Sequence, residues 1–310
     1  MSRVNENINP VSSEHFLANT FLSKLALLGE LVKIKITVLV SLTTALGYIL
    51  GANKISLDLF YSVFGIFILA CGSAALNQYQ ERDTDALMDR TKERPIPSGR
   101  INGSGVLMIS LSLLFLGSVV LILGANVLTL AIGLFTFFWY NGVYTPLKKK
   151  IALAIIPGSL VGALPPLAGW VSAGGNILDI KILYVAFYFF VWQIPHFWLL
   201  LLIYGKDFSK GGFPVLSNKI SEKGIAGITF IMLLFTVLVA LFIPLLNILS
   251  FNITYISLCV ISVLMIYTSF NFLISDLSKK EIFKAFIGIN IYTLFFITFL
   301  SADKFFRLFI

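Results

Sequence analysis

The sequence predicts an all-α, polytopic membrane protein of nine transmembrane helices, and three observations carry that prediction. The 310 residues are 58% hydrophobic and 12% charged, where a soluble domain runs at about 45–50% and about 25%. The apolar residues gather into runs near the roughly 20 residues that cross a hydrocarbon core of about 30 Å. The basic residues, finally, fall almost entirely on one side of the connections between those runs. Counting alternate connections, 19 of the 23 Lys and Arg share a side, and only Lys54, Lys181, Lys304 and Arg307 lie opposite. Lys/Arg bias sets orientation, so the net charge of +8 reports topology, and no nucleic-acid partner is expected. The N-terminus is placed in the cytoplasm and the C-terminus outside, as an odd number of spans requires.

In chain order, residues 1–31 form a cytoplasmic N-terminal segment and 32–310 a single membrane domain. Spans are predicted near 32–52, 57–80, 104–123, 126–145, 152–174, 181–204, 225–246, 252–274 and 283–302. The first is expected to remain as an anchor, because Arg3, Glu6, Glu14, Lys24 and Glu30 interrupt any signal-peptide pattern before it. The second and eighth hold the two cysteines, Cys71 and Cys259, whose spacing suits neither a disulfide framework nor a zinc site. The fifth carries Gly158 and Gly162 at small-xxx-small spacing, followed by Pro165-Pro166, which predicts close helix packing beside an unwound segment. The sixth contains His196, the one histidine inside a span. An ionisable side chain at membrane depth points to a role near the reacting molecule, the alternative being a hydrogen bond to a neighbouring helix beside the break at Pro195.

Charge gathers in two cytoplasmic loops, after the second and sixth spans. If the second helix continues to Asp85, Asn77, Glu81 and Asp85 lie at i, i+4 and i+8 on one face, with Asp83 pointing elsewhere. An amide and two carboxylates make an oxygen-rich half-site suited to Mg²⁺, which takes one or two carboxylates and completes its shell with water and substrate phosphates. Arg90, Lys92, Arg94 and Arg100 follow at once, and guanidinium groups suit bidentate contact with diphosphate oxygens. The second loop runs Tyr204-Gly-Lys206-Asp207-Phe208-Ser-Lys210-Gly211-Gly212-Phe213-Pro214. The loops lie four helices apart and share orientation, as a four-helix duplication would arrange them. Facing each other, they would close a polar chamber over an apolar central cavity. That is the arrangement for transferring a prenyl group, with the diphosphate held by metal and cations while its tail stays in lipid-like surroundings.

Three separated signatures identify the chain as similar to the UbiA-type intramembrane prenyltransferases, and within them to the protoheme IX farnesyltransferase (heme O synthase) branch. They are Asn77 to Gly99 with its Asp89-Arg90-Thr91…Arg94-Pro95-Ile-Pro97-Ser-Gly99 ending; Tyr144-Thr145-Pro146-Leu147-Lys148 followed by Gly158…Gly162-Ala163-Leu-Pro165-Pro166-Leu-Ala-Gly169-Trp170; and Trp192-Gln193-Ile-Pro195-His196-Phe197-Trp198. The resemblance implies that Asn77, Glu81 and Asp85 hold Mg²⁺ and the diphosphate of farnesyl diphosphate. It implies further that Asp207 serves a second metal site and that Arg90, Arg94, Lys148 and Lys206 clamp the diphosphate. The implied acceptor is heme b, with His196 beside it as a candidate iron ligand, and the implied product is heme O, passed to a heme-modifying enzyme or oxidase. The implied place is a bacterial cytoplasmic (inner) membrane, with lipid around the helices and the site on the cytoplasmic side. Two departures stand out: Glu81 occupies a position that is commonly Asp, and Gly211 stands four residues after Asp207, where the wider superfamily often has a second acid. Two rival functions are prenyl transfer to a quinone precursor or other polyprenyl acceptor, and multi-span transport. The surface position of the acids argues against transport, since transporters place such groups near the midplane.

Overall fold

The computed structural model describes residues 22–275 and 277–309, the side chains of Asn218 and Phe309 excepted. Most of the predicted N-terminal segment lies outside the described residues, and residues 22–31 are helical. Nine helices among the described residues are long and apolar enough to cross a membrane. They are built on α1 (Ile34–Gly51), α2 (Leu57–Asp85), α3 (Gly103–Gly124), α4 (Val127–Phe138), α5 (Ile155–Ser172), α6 (Ile180–Lys210), α7 (Glu222–Leu241), α8 (Asn252–Ile274) and α9 (Lys279–Phe309), the span of α4 running on to Leu147 and that of α7 to Leu246. No strand occurs among them.

Local chemistry sets several helix starts. Ser56, Asn102, Asn126, Asp179 and Ser221 each accept a backbone N–H of the first turn through a side-chain oxygen, satisfying a donor that the helix itself leaves unpaired. α4 is extended by a π-helical turn, Trp139–Tyr144, and a last turn, Thr145–Leu147. Asn141 pins that turn by donating to Ser73 Oγ of α2 at 2.6 Å. The wider turn shifts the side chains beyond it around the helix axis, and Tyr140, Tyr144 and Lys148 all face the central cavity.

Small residues let the helices close around that cavity. A Cβ added at Gly169 would lie 1.9 Å from the Thr44 carbonyl oxygen, and one at Gly47 1.9 Å from that of Pro166, so α1 and α5 touch backbone to backbone. Gly158 lies under the Tyr144 ring and Gly162 against the Gln193 carboxamide, the close packing that their spacing predicts. The unwound segment expected at Pro165-Pro166 is absent, because α5 runs unbroken through both prolines. Each removes a backbone N–H, but both rings are buried in the bundle, and packing by neighbouring helices is what makes such prolines tolerable inside membrane helices. On the far side of the cavity α6 and α9 are joined by Tyr188 stacked on Phe296, centroids 3.8 Å apart, and by Tyr188 Oη to Thr293 Oγ1 at 3.0 Å.

α2 and α6 have 29 and 31 residues, more than the roughly 20 a crossing needs. Their C-terminal ends therefore project together at one face of the bundle.

Candidate functional site

A cavity of about 670 Å³ opens beneath those projecting ends and runs down among α1, α2, α4, α5, α6 and α9. Its polar end is built on α2, which continues to Asp85. Asn77, Glu81 and Asp85 fall on one face and are all buried, while Asp83 is exposed, as the helical spacing predicts. Every one of the three has a partner. Lys33 Nζ donates to Asn77 Oδ1 at 2.7 Å, and Asn77 Nδ2 donates to Thr145 Oγ1 at 3.1 Å. Lys148 Nζ lies 2.7 Å from Glu81 Oε1. One nitrogen of Arg94, Nη1, bonds both Asp85 oxygens at 2.8 and 2.7 Å.

Four basic side chains line this end: Lys33, Arg90, Arg94 and Lys148. The other two basic residues after α2 face away, Lys92 pairing with Asp89 at 3.4 Å and Arg100 with Glu30 at 2.8 Å. Sequence reasoning missed Lys33, which counted only as a topology signal. It precedes α1 in a left-handed conformation, φ 53°, which turns its side chain back toward Asn77. Burial, and then the nearby Arg94 charge, lower its ammonium to a pKa of about 7. Burial acts the same way on Lys148, but the Glu81 carboxylate more than reverses it and Lys148 is raised.

The second loop behaves differently. Lys206, expected as a clamp, is exposed and does not line the cavity. Asp207, expected at a second metal site, does not line it either. Its Oδ1 accepts the Asp89 backbone N–H at 2.8 Å and its Oδ2 that of Arg90 at 3.1 Å, so the carboxylate is turned into the first loop. No cluster of three or more Asp, Glu, His or Cys occurs among the described residues. Of the three polar side chains on α2, Glu81 and Asp85 line the cavity while Asn77, its amide held by Lys33 and Thr145, does not; two carboxylates suit Mg²⁺ when phosphate oxygens complete the shell.

Deeper in, the walls become apolar and aromatic. His196 lies 11 residues before Asp207 on α6, roughly 16 Å down the helix axis. Its ring sits among Trp192, Phe286 and Phe197, with centroids 4.9, 5.0 and 5.8 Å away. Neither His196 Nδ1 nor Trp198 Nε1 has a hydrogen-bond partner in the protein. Both side chains line the cavity, as does Asn290 of α9.

Residues 40–298 match the model of the UbiA prenyltransferase family. The chain is similar to protoheme IX farnesyltransferases of Oleidesulfovibrio alaskensis (33% identical over 195 residues, 63% of this chain and 69% of the relative) and Geobacter sulfurreducens (37% over 183 residues, 59% and 67%). One from Christiangramia forsetii is 36% identical over 214 residues, 68% of this chain and 70% of the relative. Among solved structures, a chain from work on digeranylgeranylglyceryl phosphate synthase in membranes shares the fold with a TM-score of 0.72 at 18% identity, covering 91% of this chain and 99% of that one. A UbiA homolog from Archaeoglobus fulgidus bound to GPP and Mg²⁺ gives 0.64 at 17% identity, covering 90% and 99%.

Proposed function

The chain belongs to the UbiA prenyltransferase family of integral membrane proteins, and from that premise we propose that it transfers the farnesyl group of farnesyl diphosphate to a vinyl group of heme b, giving heme O. The observation that carries this reading is one continuous cavity with four basic side chains and two carboxylates at its mouth and an aromatic chamber around a histidine at its depth. Relatives at 33–37% identity bearing the name protoheme IX farnesyltransferase support it.

In this reading Asn77, Glu81 and Asp85 hold Mg²⁺, which when bound supplies neutralisation of the charge on the departing diphosphate. Arg94, Lys148 and Lys33, each now facing one of those three side chains, turn their charge to the diphosphate oxygens, and Arg90 adds a fourth contact. The allylic C–O bond breaks with its electrons on the leaving diphosphate. Tyr140 and Tyr144, rings 5.7 Å apart on the cavity wall, present π faces to the positive farnesyl carbon. The vinyl π electrons close the new C–C bond, and water adds as the hydroxyl with loss of a proton. His196 holds the acceptor through the heme iron, for which imidazole is a usual ligand. The excess of Lys and Arg at the polar end supports a cytoplasmic position for it, in a bacterial inner membrane. A heme-modifying enzyme or a terminal oxidase consumes the product.

Heme extraction and chromatography from cells with and without the chain test the reading. A farnesylated heme should appear only with it. Prenylation of an added hydroxybenzoate in place of heme would transfer the function to the quinone-precursor class.

A further inference from the structure

The geometry points to Asp207 as a positioning residue rather than a metal ligand: its carboxylate brackets the 88–90 turn and thereby sets Arg90 in the cavity, leaving one divalent-cation site, on α2. This rests on the proposed function and concerns how the same site grips its diphosphate.

Four contacts join the second loop to the first, and none leads to the cavity through Asp207. Both carboxylate oxygens are engaged by consecutive backbone amides, those of Asp89 and Arg90, at 2.8 and 3.1 Å. Such charge-assisted bonds fix backbone direction as well as adding strength. Lys210 pairs with the Asp89 carboxylate. The Arg90 guanidinium is then laid over Tyr204 and Phe208, 4.7 and 5.4 Å from their centroids, and reaches the cavity that Asp207 does not. Tyr204 is also where α6 departs from helical geometry, φ −120° and ψ 15°, and that kink orients the last turn of α6 toward the first loop. The fourth contact is at Gly211, where a Cβ would lie 3.0 Å from both Cγ and Sδ of buried Met88, so a larger residue at 211 requires the Met88 side chain under the first loop to shift. The second loop is thus shaped as a seat for the first. A guanidinium held by this seat supplies to the diphosphate the positive charge that a second cation would otherwise bring.

The test uses the purified full chain in detergent micelles, Mn²⁺ counted by electron paramagnetic resonance, and farnesyl thiodiphosphate, whose C–S bond resists departure. Wild-type binding of the thiodiphosphate with Mn²⁺ examines the parent reading by itself, and its absence would sink that reading and this inference together. Given wild-type binding, Asp207→Ala should hold the same Mn²⁺ per chain while weakening thiodiphosphate affinity about tenfold, the scale of losing bonds to a charged group. Arg90→Ala should weaken it at least as much, and the double variant no further than Arg90→Ala alone. Loss of bound Mn²⁺ in Asp207→Ala, or an undiminished effect of that change in the Arg90→Ala background, would overturn the bracket and spare the function. Gly211→Asp separates the two ideas by sign. The bracket requires weaker thiodiphosphate binding that Met88→Ala restores, whereas an added Mn²⁺ per chain would show a second metal half-site.

Discussion

The two ends of the cavity differ in charge: one is organised by ion pairs and the other by aromatic rings around neutral nitrogens. At the mouth each carboxylate already faces a cation, Glu81 with Lys148 and Asp85 with Arg94, and Asn77 is held between Lys33 and Thr145. At the deep end His196 Nδ1 and Trp198 Nε1 face the cavity without partners in the protein, among aromatic rings. A buried charge left alone is costly, and pairing offsets its desolvation. The mouth is therefore stable by itself, and in the proposed function it takes an ionic ligand by exchanging partners. A neutral nitrogen costs far less to bury than a charge, so the deep end does not depend on ion pairing. Breaking one end should consequently leave binding at the other intact.

The largest effect is expected at the mouth. Asp85→Ala removes a proposed metal ligand and leaves the half-buried Arg94 against no counter-charge, and turnover should fall by at least about 10²-fold, the cost of losing a group that stabilises developing charge. Asn77→Ala should do the same. Membrane insertion should persist, because neither change lowers the hydropathy of its span. Heme chromatography beside an immunoblot of the membrane fraction reads both, and normal activity in Asp85→Ala would show the metal site to be elsewhere.

The residues of this end were unequally legible in the sequence. Asn77, Glu81 and Asp85 could be assigned to one face because helical periodicity alone decides it, and the nine spans followed from hydropathy in the same local way. Arg90 and Arg94 were found, with Lys92 and Arg100, as one basic cluster; which of them turn inward depends on how the 88–100 loop folds back, and that is set by contacts from α6 and from Glu30. Lys33 could not be singled out, since a lysine at the start of a span ordinarily signals orientation, and its role depends on the left-handed backbone that directs it at Asn77. Asp207 shows the converse. The resemblance implies a metal ligand there, whereas the contact its oxygens make, with two amides 118 and 117 residues earlier in the chain, is one that no local pattern announces. Pro165 and Pro166 suggested a break that tertiary packing overrides.

A smaller effect is expected from the deep end. His196→Ala should lower heme affinity about tenfold or more, the scale on which groups that tune a metal site act, measured as the shift of the heme Soret band on titration. Thiodiphosphate binding should not change. Full heme O formation with unchanged heme affinity would remove His196 from the iron, and a parallel loss of thiodiphosphate affinity would show that the ends are coupled.

The smallest change sharpens what the mouth asks of Glu81. Glu81→Asp withdraws the carboxylate by roughly one C–C bond, about 1.5 Å, and so opens the 2.7 Å contact with Lys148. Lysine carries its charge on a flexible stem of four carbons, and its ammonium can follow the shortened acid, as helix-end rotamers also can. Turnover should therefore fall by less than about tenfold, below the loss for a missing charge-stabilising group. Glu81→Gln, which keeps the length and loses the charge, should fall further and should demand more Mg²⁺ for half-maximal rate. Should the two variants reverse that order, the length of Glu81 would be the essential quantity, and the pair with Lys148 would be a fixed spacer of the cavity mouth instead of an exchangeable one.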